Sequence, residues 1–175
     1  MIKARIPILG FAAFSGTGKT TLLVQLLPML KQKGLRIGMI KHAHHDFDID
    51  TPGKDSYELR KAGADQMLIT SKRRWALMVE TPNVQDDPDL NHMLQQLDQD
   101  RLDLVLVEGF KHVHFPKIEL HRPTLGKPLL FPEDDSIIAI ATDQAIEQPC
   151  KLPKLDLNEP NSIVAFIVDF LAQSE

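Results

Sequence analysis

The residues with the clearest chemical meaning form the segment Ala13–Thr20, which spells AFSGTGKT. It fits the phosphate-loop pattern, except that alanine stands at the first position, where glycine is usual. Gly16 and Gly18 allow a tight turn that aims backbone N–H groups at phosphate oxygens. Lys19 supplies a positive charge for the β- and γ-phosphates, and the Thr20 hydroxyl is a natural Mg²⁺ ligand. The segment therefore predicts a binding site for a nucleoside triphosphate with Mg²⁺.

A second candidate is Glu108, which follows the most continuous apolar run of the chain, Leu102 to Val107. Such a run predicts a central strand that is covered on both faces. A carboxylate at the tip of a buried strand, in a chain with a phosphate loop, matches the Walker-B arrangement. That carboxylate can hold Mg²⁺ or orient a water molecule. A solvated strand end is the alternative interpretation of Glu108.

The segment from His42 to Gly53 is unusually rich in polar side chains. It opens with three histidines and three aspartates within nine residues, and it follows a predicted strand at 35–41. In open α/β sheets, ligands bind beyond the carboxyl ends of the strands. We therefore expect this segment to face the nucleotide, and a polar surface loop is the alternative.

The elements around these residues alternate between strands and helices. The apolar run Ile6–Phe14 predicts the strand before the phosphate loop, and the Leu-rich stretch Thr20–Lys33 predicts the helix after it. Further strands are predicted at 35–41, 65–71, 75–80, 102–107, 117–122, 137–141 and 154–157, and further helices at 55–62, 86–98 and 159–171. The connection between the strands at 65–71 and 75–80 is too short for a parallel crossover, which predicts an antiparallel hairpin on an otherwise parallel sheet. The fold class is α/β, a three-layer P-loop NTPase fold with a mostly parallel central sheet and helices on both faces.

Composition limits the classes of protein to consider. A chain of 175 residues is long enough for one domain with a full core, so we predict a single nucleotide-binding domain over residues 1–175. A net charge of −4 argues against a broad nucleic-acid surface. The single cysteine, Cys150, cannot form an internal disulfide, and the first apolar run is too short for a membrane span. We therefore expect a cytoplasmic protein with no nucleic-acid or membrane role.

Taken together, the motifs resemble those of the MobB family, molybdopterin-guanine dinucleotide biosynthesis protein B. The segments that carry the resemblance are Ser-Gly-x-Gly-Lys-Thr at 15–20, Lys-His-x-His-His-x-Phe-x-x-Asp at 41–50, Pro-Gly-Lys-Asp-Ser at 52–56, Ala-Gly-Ala at 62–64 and Val-Glu-Gly-Phe-Lys at 107–111. The resemblance is strong over residues 6–111 and loose over the remainder. Because the phosphate loop alone would name only a superfamily, the His/Asp segment with Pro-Gly-Lys-Asp-Ser is the specific part.

The resemblance implies an adapter that binds GTP with Mg²⁺, hydrolyses it weakly and forms a homodimer. It implies a partner enzyme, the guanylyltransferase that attaches GMP to molybdopterin, with molybdopterin itself as a further candidate ligand. By similarity to the wider P-loop class, Thr20, Glu108 and a carboxylate after the second strand surround Mg²⁺. That carboxylate is Asp50 or Asp48, and which of Asp46, Asp48 and Asp50 faces the metal stays open. The catalytic candidates are Lys19, Glu108 and Asp50.

Recognition of the base is a separate question. G proteins present an Asn-Lys-x-Asp segment whose aspartate accepts hydrogen bonds from guanine, and this chain has no such segment. Asp143, at the end of a late strand, is our candidate for the same role. The residues predicted to contact the nucleotide are Ser15, Gly16, Thr17, Gly18, Lys19, Thr20, Thr21 and Asp143.

Two other functions fit the same residues. His42, His44 and His45, with His112 and His114, suggest a nickel- or zinc-handling GTPase, because imidazole suits both metals. A small-molecule P-loop kinase would use the same loop and fold. For the GTP-binding adapter we expect slow turnover, since no arginine finger or water-positioning glutamine can be identified; Arg73 and Arg74 are candidates for the former only by position.

Overall fold

A six-stranded parallel sheet carries the phosphate loop in the computed structural model, which describes residues 2–43, 47–82 and 87–174. In chain order the elements are β1 (Ile8–Ala12), α1 (Lys19–Gln32), β2 (Ile37–Lys41), α2 (Asp55–Lys61), β3 (Gln66–Thr70), β4 (Trp75–Val79), α3 (Leu90–Gln95), β5 (Leu104–Glu108), β6 (Lys117–His121), β7 (Ile137–Thr142), β8 (Lys154–Asp156) and α4 (Pro160–Ala172). Short 3₁₀ turns occupy Gln99–Arg101 and Pro123–Leu125. The predicted α/β class is confirmed.

The chain divides into two compact units, which are described separately. One unit consists of Met1–His42 and Pro88–Glu175, and the other of Ala43–Asp87. A single domain over the whole chain stays a prediction. Over the ranges given above, no helix is long and apolar enough to cross a membrane.

The sheet of the first unit has the strand order β2-β5-β1-β6-β7-β8 and places the phosphate-loop strand at its centre. Successive side chains of a strand point to opposite faces, so each strand contributes to two cores. Leu9 and Phe11 of β1 pack with α1 and α4 on one face, whereas Ile8 packs with α3 on the other. The prediction of helices on both faces is thus confirmed.

The phosphate-loop helix α1 begins directly after Gly18 and buries a stripe of leucines at helical spacing: Leu22, Leu23, Leu26 and Leu30. Pro28 lies inside this helix, and Gly34 follows its end with a φ of 84°. Burial of the leucine stripe fixes the helix against the sheet, and therefore fixes where its amino terminus meets the loop.

The antiparallel hairpin of β3 and β4 exists as predicted, but its predicted place in the parallel sheet is wrong. The two strands pair with each other, Leu68 opposite Leu77, and form a separate two-stranded sheet within the second unit. A short connection dictates that two strands pair with each other, yet it carries no information about which sheet they join.

One face of β6 is covered by the irregular segment 122–136, and buried polar side chains hold that segment in place. Glu119 is almost fully buried. Its carboxylate oxygens accept hydrogen bonds from the backbone N–H groups of Leu130 and Phe131, at N···O distances of 2.7 and 2.9 Å. The Lys117 ammonium, also buried, donates to Asp134 at 2.9 Å and to Ser136 at 2.6 Å. Burial raises the pKa of Glu119, although the two N–H groups oppose that shift. These contacts hold the segment against β6.

We predict that Asp134→Ala lowers the free energy of unfolding by about 3 kcal/mol, because it leaves the buried Lys117 ammonium without its carboxylate. Urea unfolding followed by circular dichroism measures the difference. Burial alone would raise the pKa of Asp134, but hydrogen bonds from Ser136 and Lys117 bring it below the ordinary value. The pair therefore stabilises the fold above about pH 4, and the difference from wild type shrinks as the pH falls further.

The neighbouring Asp135 provides the control, since its side chain is 90% exposed. Asp135→Ala should change stability by no more than about 0.5 kcal/mol. Equal effects of the two substitutions would contradict a stabilising role for the buried pair.

Candidate functional site

The predicted phosphate-binding residues and Glu108 meet in one open cleft at the carboxyl edge of the sheet. The cleft has a volume of about 420 Å³ and is lined by Ser15, Gly16, Gly18, Lys19, Thr20, Thr21 and Glu108. Ligand sites commonly have volumes of roughly 300–1,000 Å³, so this one is large enough for a nucleotide's phosphates. Thr17, by contrast, is buried and does not line the cleft.

The loop backbone has the conformation that its glycines predict. Gly16 and Gly18 have φ values of 83° and 98°, in the left-handed region, and a Cβ atom at either position would meet nothing within 4 Å. The space beside the loop is therefore open to a ligand. The Lys19 ammonium donates to the carbonyl oxygen of Ala13 at 3.1 Å, a group that any residue supplies. Ala13 has no positive φ, which explains why this position tolerates alanine in place of glycine.

Charges of both signs surround the cleft. Burial lowers the pKa of Lys19; Glu108 opposes the shift, and Lys41 and Lys111 add to it. Lys41 lies opposite Glu108 in the β2–β5 register, and its ammonium is 3.2 Å from a Glu108 carboxylate oxygen. A cluster of lysines around one carboxylate suits the binding of a polyanion together with a cation.

The chain after β5 requires a glycine. Gly109 has a φ of 99°, and a Cβ there would lie 2.8 Å from His42 Cβ. The His42 N–H donates to the Glu108 carbonyl oxygen at 2.9 Å, and the His42 ring lies 5.3 Å from that of Phe110. Close approach of the two strand ends thus places His42 beside the Glu108 backbone.

Asp143, the candidate for base recognition, lies at the carboxyl end of β7 and forms an ion pair with Arg122. The Arg122 Nη1 is 2.5 Å from Asp143 Oδ2, and the Arg122 Nε donates to the Thr17 carbonyl oxygen at 3.1 Å. Asp143 Oδ1 is buried and has no hydrogen-bond partner among the described residues. The carboxylate therefore contacts the phosphate loop indirectly, through Arg122.

Within the second unit, Asp50 is held by an arginine. Arg60 is buried and donates to Asp50 at 2.6 Å, to Asp48 at 2.5 Å and to Glu80 at 2.6 Å. Hydrogen bonds to Asp50 and Glu80 raise the pKa of Arg60. The Asp50 side chain is only 5% exposed, and its Oδ2 has no partner in the described part of the chain. Its role as a Mg²⁺ ligand stays a prediction.

The histidine-based alternative depends partly on residues that lie outside the described ranges, namely His44 and His45, and the same holds for Asp46. Over residues 2–43, 47–82 and 87–174, no group of three or more His, Cys, Asp or Glu residues is placed to hold a metal ion. His114, one of the other histidines, lies 3.0 Å from Asp135 on the surface. Metal handling stays a prediction.

Three charged residues at these sites were not predicted from the sequence. Lys41 and Arg122 end or follow strands of the parallel sheet, so the rule that ligands bind at carboxyl strand ends could have found them. Arg60 lies in a short helix among other charged residues, and no pattern distinguishes it from its neighbour Lys61.

Comparison with known proteins identifies the family. The family model for molybdopterin guanine dinucleotide synthesis protein B matches residues 8–143. The chain belongs to the MobB family. The molybdopterin-guanine dinucleotide biosynthesis adapter protein of Escherichia coli K12 is 49% identical over 97% of this chain and 95% of that protein. Its counterpart from Haemophilus influenzae is 44% identical over 95% of this chain and 90% of that protein.

The structural likeness agrees with this family. The crystal structure of Bacillus subtilis MobB matches with a TM-score of 0.71 and 26% identity, over 94% of this chain and 97% of that chain. With 94% of this chain covered, the match includes residues of both compact units.

We predict that Arg60→Met loosens the second unit, because it leaves the nearly buried Asp50 carboxylate without a counter-charge. Amide hydrogen exchange over α2, β3 and β4 should become about tenfold faster or more, while exchange in β1 and β5 stays unchanged. The matched control is Lys61→Met, which removes an exposed charge from the same helix. Unchanged exchange in the Arg60 variant would contradict the stabilising role of the ion-pair cluster.

Proposed function

We propose that this chain is a Mg²⁺-dependent, GTP-binding adapter with weak GTPase activity, which assists the attachment of GMP to molybdopterin. Membership of the MobB family and the adapter names of its relatives support the role in molybdopterin-guanine dinucleotide biosynthesis. The observation that carries the nucleotide-binding part is the cleft that joins the phosphate loop to Glu108. The partner enzyme is the guanylyltransferase that joins GMP to molybdopterin.

Each residue of the cleft has a definite task in this proposal. The open left-handed turns at Gly16 and Gly18 present backbone N–H groups to the phosphates, as does the amino terminus of α1. Lys19 contacts the β- and γ-phosphates with the N–H groups that its single hydrogen bond to the Ala13 carbonyl oxygen leaves free. Hydrogen bonds from an ammonium group to charged phosphate oxygens are strong and favour the bound state.

The residues of the cleft also fit Mg²⁺, which prefers oxygen ligands and retains several waters. The Thr20 hydroxyl and the Glu108 carboxylate line the same cleft and would hold the ion. When bound, Mg²⁺ neutralises phosphate charge. Lys41, whose ammonium is 3.2 Å from Glu108, keeps that carboxylate compensated before the nucleotide is loaded.

Weak hydrolysis follows from the groups that the sequence offers. An arginine finger accelerates GTP hydrolysis by about 10³–10⁵-fold in the G proteins, and no residue of this chain can be assigned that task. An adapter has no need of fast turnover, because it holds the nucleotide while its partner enzyme performs the chemistry. Asp143, the candidate for guanine recognition, is paired with Arg122 in the ligand-free protein, and its contact with the base stays a prediction.

We further propose that the protein is a homodimer formed through one face of the hairpin. Leu68, Trp75, Leu77 and Val79 lie on the same face of β3 and β4, and all are exposed by 43–68%. A two-stranded sheet is marginally stable alone, and apolar patches of this kind mark association surfaces. A second copy of the chain offers the same apolar face, so a twofold contact would bury both.

We predict that the protein binds GTP more tightly than ATP, and only in the presence of Mg²⁺. Lys19→Ala should weaken GTP binding by roughly 10–100-fold, the value of one charge-assisted hydrogen bond. Isothermal titration calorimetry measures both. Lys33→Ala, at the opposite end of α1, is the control and should bind as wild type does. Equal affinity for ATP and GTP would contradict the assignment of guanine as the base.

For the dimer, we predict that Leu77→Glu yields monomers, because the closed contact would have to bury an unpaired carboxylate. Size-exclusion chromatography with light scattering gives the mass directly. Leu59→Glu places the same charge at a leucine outside the hairpin that is 58% exposed, against 43% for Leu77, and should leave the dimer intact. A wild-type monomer at tens of micromolar would refute the proposal.

A further inference from the structure

Arg122 directly follows β6 and connects two loops at the carboxyl edge of the sheet. Its Nε donates to the carbonyl oxygen of Thr17 at 3.1 Å, and its Nη1 lies 2.5 Å from Asp143 Oδ2. Both side chains are largely withdrawn from solvent, with Arg122 31% exposed and Asp143 13% exposed. Partial burial strengthens such contacts, because the low local dielectric weakens competition from water.

The hydrogen bond from Arg122 to Thr17 restrains the part of the phosphate loop that faces the ligand. In a trans peptide, the carbonyl group and the following N–H group point in opposite directions. The described peptide bonds are all trans, so anchoring the Thr17 carbonyl oxygen also fixes the direction of the Gly18 N–H. Gly18 has no side chain to restrain this peptide, and it lines the phosphate cleft, whereas Thr17 does not. Arg122 therefore anchors the peptide that joins Thr17 to Gly18, a residue that lines the cleft.

Thr17 also makes two contacts within the loop, both to Phe14. The Thr17 hydroxyl donates to the Phe14 carbonyl oxygen at 2.8 Å, and the Thr17 N–H makes a longer contact of 3.4 Å to the same atom. These bonds are internal to the loop. Among the hydrogen bonds of Thr17 within the described part of the chain, only the one from Arg122 ties the loop to a distant residue, 105 positions away.

The geometry of Asp143 indicates what that carboxylate does in the ligand-free protein. A carboxylate that recognises guanine accepts two hydrogen bonds, one on each oxygen. Here Oδ2 is occupied by Arg122, and Oδ1 is buried. As placed, the carboxylate is directed at the guanidinium, which it orients and compensates. The planar guanidinium reaches Thr17 with Nε and Asp143 with Nη1, a fixed arrangement of donors that a lysine ammonium does not reproduce.

We propose that Arg122 is a positioning residue for the phosphate loop and that Asp143 orients it. The proposal rests on nucleotide binding as proposed above. It deepens that function, because Arg122 and Asp143 together form a brace that holds the phosphate loop where it contacts the phosphates of the ligand. Because the brace does not touch the base, its loss should affect every triphosphate ligand equally.

The test compares Mg²⁺-GTP with Mg²⁺-tripolyphosphate, which has no base, by calorimetry. Arg122→Ala should weaken both ligands by about the same factor, on the order of tenfold. Arg122→Lys should give nearly the same loss, since it keeps the charge but not the fork. Asp143→Asn should follow Arg122→Ala, and the double variant should be no worse than either single variant. Arg36→Ala is the matched control, because Arg36 forms a similar pair with Asp103 at the other end of the sheet.

Three results would overturn the proposal. The first is that Arg122→Ala binds both ligands with unchanged affinity. The second is that Arg122→Lys binds them as the wild type does, which would indicate a role of charge alone. The third is a loss in Asp143→Asn that is confined to GTP and accompanied by a gain in xanthosine triphosphate binding, because Asp143 would then read the base.

A ligand-free measurement separates this proposal from nucleotide binding itself. The ¹⁵N relaxation order parameter of the Gly18 amide should fall in Arg122→Ala and stay unchanged in Arg36→Ala. If the wild-type protein bound neither GTP nor tripolyphosphate, the proposed function would fail, while the order parameter would still decide whether Arg122 restrains the loop. An unchanged order parameter would refute the brace.

Discussion

The parallel direction of the six strands is the constraint on which the site of the first unit depends. Parallel strands end at the same edge, so residues that are distant in sequence arrive at one place. The phosphate loop follows β1, Glu108 ends β5, Lys41 ends β2, and Arg122 and Asp143 follow β6 and β7. Pairing of the strands, rather than any local motif, puts a carboxylate, lysines and an open loop beside one cleft.

Buried charges also hold in place the irregular segment that covers one face of β6. Burying a charge is costly unless it is paired, so each buried ionic group specifies its partner. Lys117 and Glu119 fix the segment that follows β6, and Arg122 is the first residue of that segment. The same logic applies in the second unit, where Arg60 gathers three carboxylates. Polar contacts of this kind contribute to specificity of the fold as well as to its stability.

Membership of the MobB family gives these features a common interpretation. The first unit contains the elements of nucleotide binding, and the second contains an apolar hairpin face and a charged cluster around Asp50. The proposed function, in which the protein holds a nucleotide for another enzyme, needs both a firm phosphate site and surfaces for association. The two units carry those two kinds of feature separately.

The sequence by itself determined what is local. The phosphate loop, its strand and its helix are contiguous, and Glu108 is adjacent to its own strand, so pattern and spacing predicted each of them. The sequence also predicted the hairpin, because its connection is short. Only the tertiary structure decided that this hairpin pairs apart from the main sheet, that Arg60 holds Asp50, and that Arg122 reaches Thr17 across 105 residues. The physical reason is that such contacts depend on which strands and helices become neighbours. Which elements become neighbours depends on burial over the whole chain, so no short stretch of sequence predicts it.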